Sequence, residues 1–319
     1  MASKKHIHEG RSLKVLVLGA SGFIGRNVLE HAPSSVDLIG IYNSASDMPQ
    51  FIKKIGRKKI QLLQCDLLDE KQVQRLAGKI GREVDHCIFL AGNVDVPFSK
   101  NDPKKDIVTT VFTLINAFTH FRIKRLVYVS TAGVYDGNKG SVSIDTILQP
   151  TVPYCISKMM AEQYVKYFHV IGNVKEYVIL RFGGAFGKYS KPSKFMASLV
   201  REIGIERKKS ITVYGTGTNI INVMYVKDAV RGLFAALTSR KKNLTSNFGQ
   251  ENMTIQETVE RVAKALNQEV TLQYAPLKGE QKYINFRIDA DFNRVFSFKA
   301  KYSFEEGIRD FCKDLKDES

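Results

Sequence analysis

Leu13-Lys14-Val15-Leu16-Val17-Leu18 runs directly into Gly19-Ala20-Ser21-Gly22-Phe23-Ile24-Gly25, and the amphipathic segment Ile24–His31 follows. A short β-branched apolar run, three glycines at a spacing of three and a helical period predict a strand, a tight turn and a helix. Each glycine has a separate physical task. Gly19 permits the turn off the strand, Gly22 lets backbone approach a pyrophosphate, and Gly25 lets the helix pack closely on a sheet. The helix start adds free N–H groups and a partial positive charge, which suits an anion. Gly19, Ser21, Gly22, Phe23, Ile24 and Gly25 are therefore candidate dinucleotide-binding residues.

The same rhythm continues outward. Val36–Tyr42, Ile60–Cys65, His86–Leu90, Arg125–Ser130 and Tyr177–Phe182 read as short buried strands, separated by helical patterns at Glu70–Ile80, Ile107–Phe121 and Tyr154–Val170. Buried strands joined by crossover helices predict an α/β fold of the Rossmann type, a doubly wound parallel sheet. Beyond residue 183 the alternation loosens: Phe195–Ile205, Val226–Leu237 and Ile255–Leu266 look helical, the last capped by Thr254. Ile211–Tyr214 and Thr245–Phe248 look strand-like. No flexible linker intervenes. The expectation is a dinucleotide-binding domain over 13–182 and a smaller, interwoven substrate domain over 183–319, with segments near 211–249 returning to the first.

Composition limits the function classes. With 319 residues, 44% hydrophobic and 25% charged, the chain suits a globular enzyme. It holds no apolar run of the ~18–20 residues needed to cross a bilayer. Residues 1–12, with His6 and His8, read as a basic leader outside the fold. The four cysteines, Cys65, Cys87, Cys155 and Cys312, show no CxxC spacing; no metal site is expected, and a cytoplasmic location is. Lys and Arg number 48 against 32 acids, a formal charge of +16. The basic clusters Lys53–Lys54, Arg57–Lys59, Arg207–Lys209 and Arg240–Lys242 lack interleaved aromatics, so they read as solvated faces rather than a nucleic-acid site.

Further positions join the glycine loop. Dinucleotide binders often carry an acid at the end of the second strand to hold the adenosine ribose. Here that strand ends Ile41-Tyr42-Asn43-Ser44. Without a carboxylate to repel a 2′-phosphate, Asn43 and Ser44 favour NADP(H) over NAD(H), although no arginine stands there to clamp the phosphate. Asp66 either accepts a hydrogen bond from the adenine amino group or caps the next segment. Tyr154 and Lys158, four apart, share one helix face. An ammonium beside a phenol favours the phenolate, which would make Tyr154 a proton donor or acceptor for hydride chemistry. Lys158 can also hold the nicotinamide ribose, and Thr131, ending Val129-Ser130-Thr131, can hold the substrate oxygen.

In these motifs the chain resembles the extended short-chain dehydrogenases/reductases of the NAD-dependent epimerase/dehydratase type. The likeness spans roughly residues 13–310. It rests on the glycine loop, Asp66-Leu67, Leu90-Ala91-Gly92, Val129–Tyr135, Pro153–Lys158, Leu180-Arg181-Phe182, Thr212–Gly217, Tyr225–Asp228 and Asn247-Phe248-Gly249. The resemblance implies Leu67, Leu90, Ala91 and Gly92 as further cofactor contacts. It assigns Thr131, Tyr154 and Lys158 the catalysis, implies a nucleotide-linked sugar as substrate, and implies a homodimer through Ile107–Phe121 and Tyr154–Val170. The departures narrow it. Where the family's dehydratases carry an acid pair after the threonine, this chain has Ala132 and Gly133, which disfavours dehydration and leaves an epimerase or a keto-sugar reductase. Gly184 and Ile221 replace a family asparagine and a pyrophosphate-gripping arginine, so a non-nucleotide alcohol or ketone stays open, with Arg181, Lys188 and Arg287 as other candidate grips. A dinucleotide-sensing protein without turnover is opposed by the intact Thr131, Tyr154 and Lys158.

Overall fold

A computed structural model describes residues 13–277 and 286–317. The basic leader, with His6 and His8, falls outside the described residues. The first half alternates as expected: β1 (Lys14–Leu18), α1 (Phe23–His31), β2 (Asp37–Tyr42), α2 (Met48–Ile55), β3 (Ile60–Gln64), α3 (Glu70–Ile80), β4 (Glu83–Phe89) and the short α4 (Val96–Asn101). Next come α5 (Pro103–Ile107), a π-helical turn over Val108–Phe112, α6 (Thr113–His120), β5 (Arg122–Thr131), β6 (Gly140–Val142), α7 (Pro153–Val170) and β7 (Val174–Phe182). The remainder holds β8 (Gly184–Phe186), α8 (Phe195–Gly204), β9 (Ser210–Tyr214), β10 (Ile220–Tyr225), α9 (Val226–Thr238), β11 (Leu244–Phe248) and β12 (Glu251–Thr254). It closes with α10 (Ile255–Ala265), β13 (Thr271–Ala275), β14 (Phe286–Ile288), α11 (Phe292–Phe296) and α12 (Phe304–Asp317).

Seven parallel strands form the central sheet in the order β3-β2-β1-β4-β5-β7-β11. Its strands are apolar because both faces are covered. Val15, Leu16, Val17 and Leu18 are at most 1% exposed. One face packs on α3, α6 and α7 through Val73, Leu114, Phe118, Val165 and Phe168. The other packs on α1, α2 and α9 through Val28, Leu29, Phe51, Ala229 and Leu233. From β1 the chain winds outward to β3, then returns to β4 and winds the other way. Strand order therefore reverses between β1 and β4, where a crevice opens at the carboxyl ends of the strands.

A third apolar cluster joins Phe186, α8, β9, β10, α10 and α12. Here β8, β10 and β12 pair as a small sheet, and β6 pairs with the distant β14. α10 opens with the capping box Thr254/Glu257.

The expected single helix Ile107–Phe121 is instead α5, a π turn and α6. Thr109 and Thr113 each donate a side-chain hydrogen bond to the carbonyl four residues back, Lys105 and Thr109 respectively. Such back-bonding competes with the backbone ladder and loosens the helix.

Candidate functional site

The turn after β1 has the geometry its glycines require. Gly19 has φ +93°, and a Cβ there would lie 2.6 Å from the Ala91 nitrogen. At Gly25 a Cβ would lie 2.3 Å from the Gly19 oxygen. Gly22 differs: a Cβ would meet only the Gly19 oxygen, at 3.5 Å, so its cost would fall on a ligand rather than on the fold. α1 begins at Gly22 with no side-chain cap and no acid in its first turn. Its N–H groups stay free for an anion.

These features line a cleft of about 500 Å³ that also takes in Ser21, Asn43, Asp66, Leu67, Leu90, Ala91 and Gly92. Nine of the residues expected at the cofactor are thus brought together. Phe23, Ile24, Gly25, Ser44 and Lys158 do not line it. Phe23 and Ile24 turn into the third apolar cluster, Gly25 packs under the loop, and Ser44 is exposed. Phe98, Thr109, Thr113 and Lys191 also line the cleft. No local pattern marks those four, because they arrive from distant elements.

Asp66 Oδ1 accepts the Leu68 N–H at 2.9 Å, whereas the cap of α3 is Asp69, which accepts the Gln72 N–H at 3.1 Å. An arginine also reaches the β2 end, from α1 rather than from the strand. Arg26 donates from Nη2 to Asp47 Oδ1 at 2.8 Å and from Nε to the Ser21 carbonyl at 3.0 Å. Its guanidinium lies 4.9 Å from the Phe51 ring centre. Both acid and ring hold it, so it is not a free phosphate clamp.

A second, larger cavity of about 890 Å³ lies beyond the β5 end and contains Thr131 and Tyr154. Thr131 is the last residue of β5, and Tyr154 stands in the first turn of α7, where Pro153 starts the helix. Burial pushes the Tyr154 phenol up, the neighbouring Cys155 adds to this, and the Thr131 hydroxyl opposes it. The expected lowering of the phenol by Lys158 does not hold in this structure, because desolvation dominates.

Lys158 is 3% exposed, and its Nζ donates to the Val129 carbonyl at 3.2 Å, 5.3 Å from the Tyr128 ring centre. Burial brings its ammonium down to about 8, while the charges of Asp106 and Glu162 hold it up.

The cavity wall is largely apolar. Val96, Val152, Ile220, Ile221, Phe286 and Ile288 line it, with Lys100 as the basic side chain among the described lining residues. At Gly133 a Cβ would lie 2.5 Å from the Cys155 sulfur, and Ala132 is 4% exposed. Gly184 faces the Asn222 carbonyl, 2.7 Å from where its Cβ would be, so β10 leaves no room for a side chain.

Arg181 is no anion grip. It is 5% exposed and donates from Nε and Nη2 to Glu162 and from Nη1 to the Tyr135 hydroxyl at 2.6 Å. Lys188 pairs with Glu30 at 2.8 Å. Arg287 is exposed. All four cysteines are buried and free. Among the described residues no cluster could hold a metal, and no helix is long and apolar enough to cross a membrane.

The family model described as "NAD dependent epimerase/dehydratase family" matches residues 15–249. UDP-glucose 4-epimerase of Bacillus subtilis is 25% identical over 331 residues, covering 95% of this chain and 95% of that protein. Among solved structures, UDP-N-acetylglucosamine 4-epimerase of Methanobrevibacter ruminantium, in complex with UDP-N-acetylmuramic acid, superposes with a TM-score of 0.85 at 21% identity. It covers 97% of this chain and 100% of the other. UDP-glucuronic acid 4-epimerase of Bacillus cereus, with UDP-glucuronic acid and NAD, gives a TM-score of 0.81 at 22% identity, covering 96% and 100%. At that identity the two structures speak for the fold alone.

Proposed function

Since the chain belongs to the NAD dependent epimerase/dehydratase family, we propose that it interconverts epimers of a nucleotide-linked sugar by reversible hydride transfer, with Tyr154 as acid/base. The observation that carries this reading is that Thr131 and Tyr154 stand together in the wall of a cavity large enough for a sugar. The residues after β1 fit a dinucleotide: an uncapped helix start, a loop open above Gly22 and a cleft running past Asn43 and Asp66. When bound there, the nicotinamide would accept a hydride from the sugar carbinol and return it to the opposite face.

The chain's own residues would do the rest. Thr131 would hold the reacting oxygen and favour the phenolate, Tyr154 would take and return the proton, and Lys158 would hold the nicotinamide ribose. Ala132 and Gly133 provide no group for eliminating water, and Cys155 fills the space an acid at 133 would need.

For the cofactor we take NAD(H) rather than NADP(H). Asn43 removes a repulsion but attracts nothing, Arg26 is committed to Asp47, and Lys191 is the basic side chain lining the cleft. The Bacillus cereus structure named above was solved with NAD. A keto-sugar reductase is the alternative within the same site.

A second reading, a non-nucleotide ketone or alcohol, is favoured by one observation: Gly184 and Ile221 leave an apolar wall where a diphosphate would need donors. We place the substrate-covering part beyond residue 183. We also propose a homodimer, because Ile156, Met160, Tyr167 and Ile171 form one exposed apolar stripe along α7 and its end.

The test is a screen of nucleoside-diphosphate sugars and simple ketones, following sugar stereochemistry and nicotinamide absorbance together. Epimer exchange without net absorbance change supports the epimerase. A stoichiometric absorbance change indicates a reductase, and turnover of simple ketones alone overturns the nucleotide-sugar reading.

A further inference from the structure

Asp106 is a carboxylate that neither the sequence motifs nor the proposed chemistry accounts for. It lies in α5 immediately before the π turn and is completely buried. Its Oδ2 accepts the Ser157 hydroxyl at 2.6 Å, and its Oδ1 accepts the Asn93 amide at 2.6 Å. Both donors are neutral. Ser157 directly precedes Lys158 in α7, and Asn93 follows Gly92 of the cofactor cleft. The carboxylate is therefore tied to both halves of the site.

A buried anion without a cationic hydrogen-bond partner is strongly unfavourable, so it needs a compensating charge nearby. The second carboxylate near Lys158 is Glu162, but Arg181 takes it up through a buried pair at 2.7 Å, with a further bond from Ser130. The groups that Lys158 Nζ touches, the Tyr128 ring and the Val129 carbonyl on β5, are uncharged. Asp106 is thus the carboxylate left to balance the lysine.

We propose that Asp106 is a positioning residue of the Tyr154–Lys158 pair: its buried charge keeps Lys158 an ammonium inside the core, and its hydrogen bonds fix the α7 turn that carries both residues. The direction is consistent with its field. The Asp106 charge raises the affinity of both Lys158 and Tyr154 for their protons. Removing it moves both ionisations to lower pH. The consequence for turnover rests on the roles proposed for Tyr154 and Lys158, so the first measurement reads the lysine alone.

In protein labelled with 13C at the lysine ε-carbon, the Lys158 signal is identified by its loss in Lys158→Arg and titrated without ligand. In the wild type its midpoint is expected near pH 8. Asp106→Asn is expected to lower that midpoint by about one pH unit, and Ser157→Ala, which keeps the charge, to leave it in place. An unchanged midpoint in Asp106→Asn overturns the proposal, as does an equal shift in Ser157→Ala. Should Asp106→Asn fail to fold, the 13Cγ signal of Asp106 in the wild type decides. It must be that of a carboxylate from pH 6 to 9, and a protonated carboxyl there overturns the idea. Once a substrate is known, both limbs of the pH–rate profile should move to lower pH in Asp106→Asn. A lower rate on an unmoved profile would mark a merely structural role and contradict the proposal. Failure of Tyr154→Phe to lose activity would instead strike the mechanism and leave the lysine titration standing.

Discussion

At Gly133 the Cβ that any other residue carries would sit 2.5 Å from the Cys155 sulfur, next to the proposed acid/base. Gly133→Ala should therefore lower stability by roughly 1–3 kcal/mol in urea unfolding, and adding Cys155→Ala should recover most of the loss. A neutral Gly133→Ala would show that the space is not closed. The loop glycines separate along the same lines. Gly25→Ala drives a methyl into backbone oxygens of Gly19 and Ala20, so it should lower the melting temperature and abolish cofactor binding together. Gly22→Ala has room to fold, so its melting temperature should hold while the affinity for NAD falls in calorimetric titration. Equal effects of the two on stability would contradict this division. The glycine tasks were legible in the sequence because spacing alone assigns them. The role of Asp106 was not, because Asn93, Asp106 and Ser157 meet only in three dimensions.

Elements carry the next level of legibility. Glu70–Ile80 is a helix with the bounds its periodicity predicts, and α1, α7, α9 and α10 lie within one or two residues of their sequence boundaries. The π turn in the expected helix Ile107–Phe121 was hidden, because threonine back-bonding leaves the apolar period unchanged. α12 was overlooked although Phe304, Ile308, Phe311 and Leu315 recur at helical spacing. β6 and β14 have three residues each and no local signal; their pairing joins residues 140 and 286.

α12 also supplies a pH prediction. Asp314 is partly buried with Oδ2 unpartnered, and burial raises its carboxyl to about 6, with Asp310 and Glu30 adding and Lys188 and Lys227 opposing. Its folded affinity for protons exceeds the unfolded one, so this group's contribution to stability is lost as pH rises through the window from about 4 to 6. Asp314→Asn should stabilise the chain by about 1–2 kcal/mol at pH 7 and by almost nothing at pH 3.5. Equal effects at both pH values would contradict the assignment. On α7, Tyr167→Glu and Met160→Lys should each convert the proposed dimer to a monomer in light-scattering measurements. A monomeric wild type would end that proposal.

For the whole molecule, the parallel sheet and its reversal between β1 and β4 accord with the alternating buried strands, and the cleft proposed for the cofactor opens at that crevice. The substrate end was less legible. Its cavity draws Val96 from after β4, Ile221 from β10 and Phe286 from β14, a convergence that no single stretch of sequence encodes. The loss of an arginine at 221 could be read, but what replaces it could not. Arg181 and Lys188, which as sequence read more readily as ion-pair residues than as grips, are committed by folding to Glu162 and Glu30.

The central claim is that Tyr154 moves the proton in a hydride-transfer epimerisation. It is tested most directly by following sugar stereochemistry by NMR in wild type and Tyr154→Phe, each first shown to bind NAD. Epimer exchange by the wild type and a loss of at least about 100-fold in the variant, with NAD affinity unchanged, are expected. Exchange at near wild-type rate without the Tyr154 hydroxyl would contradict it.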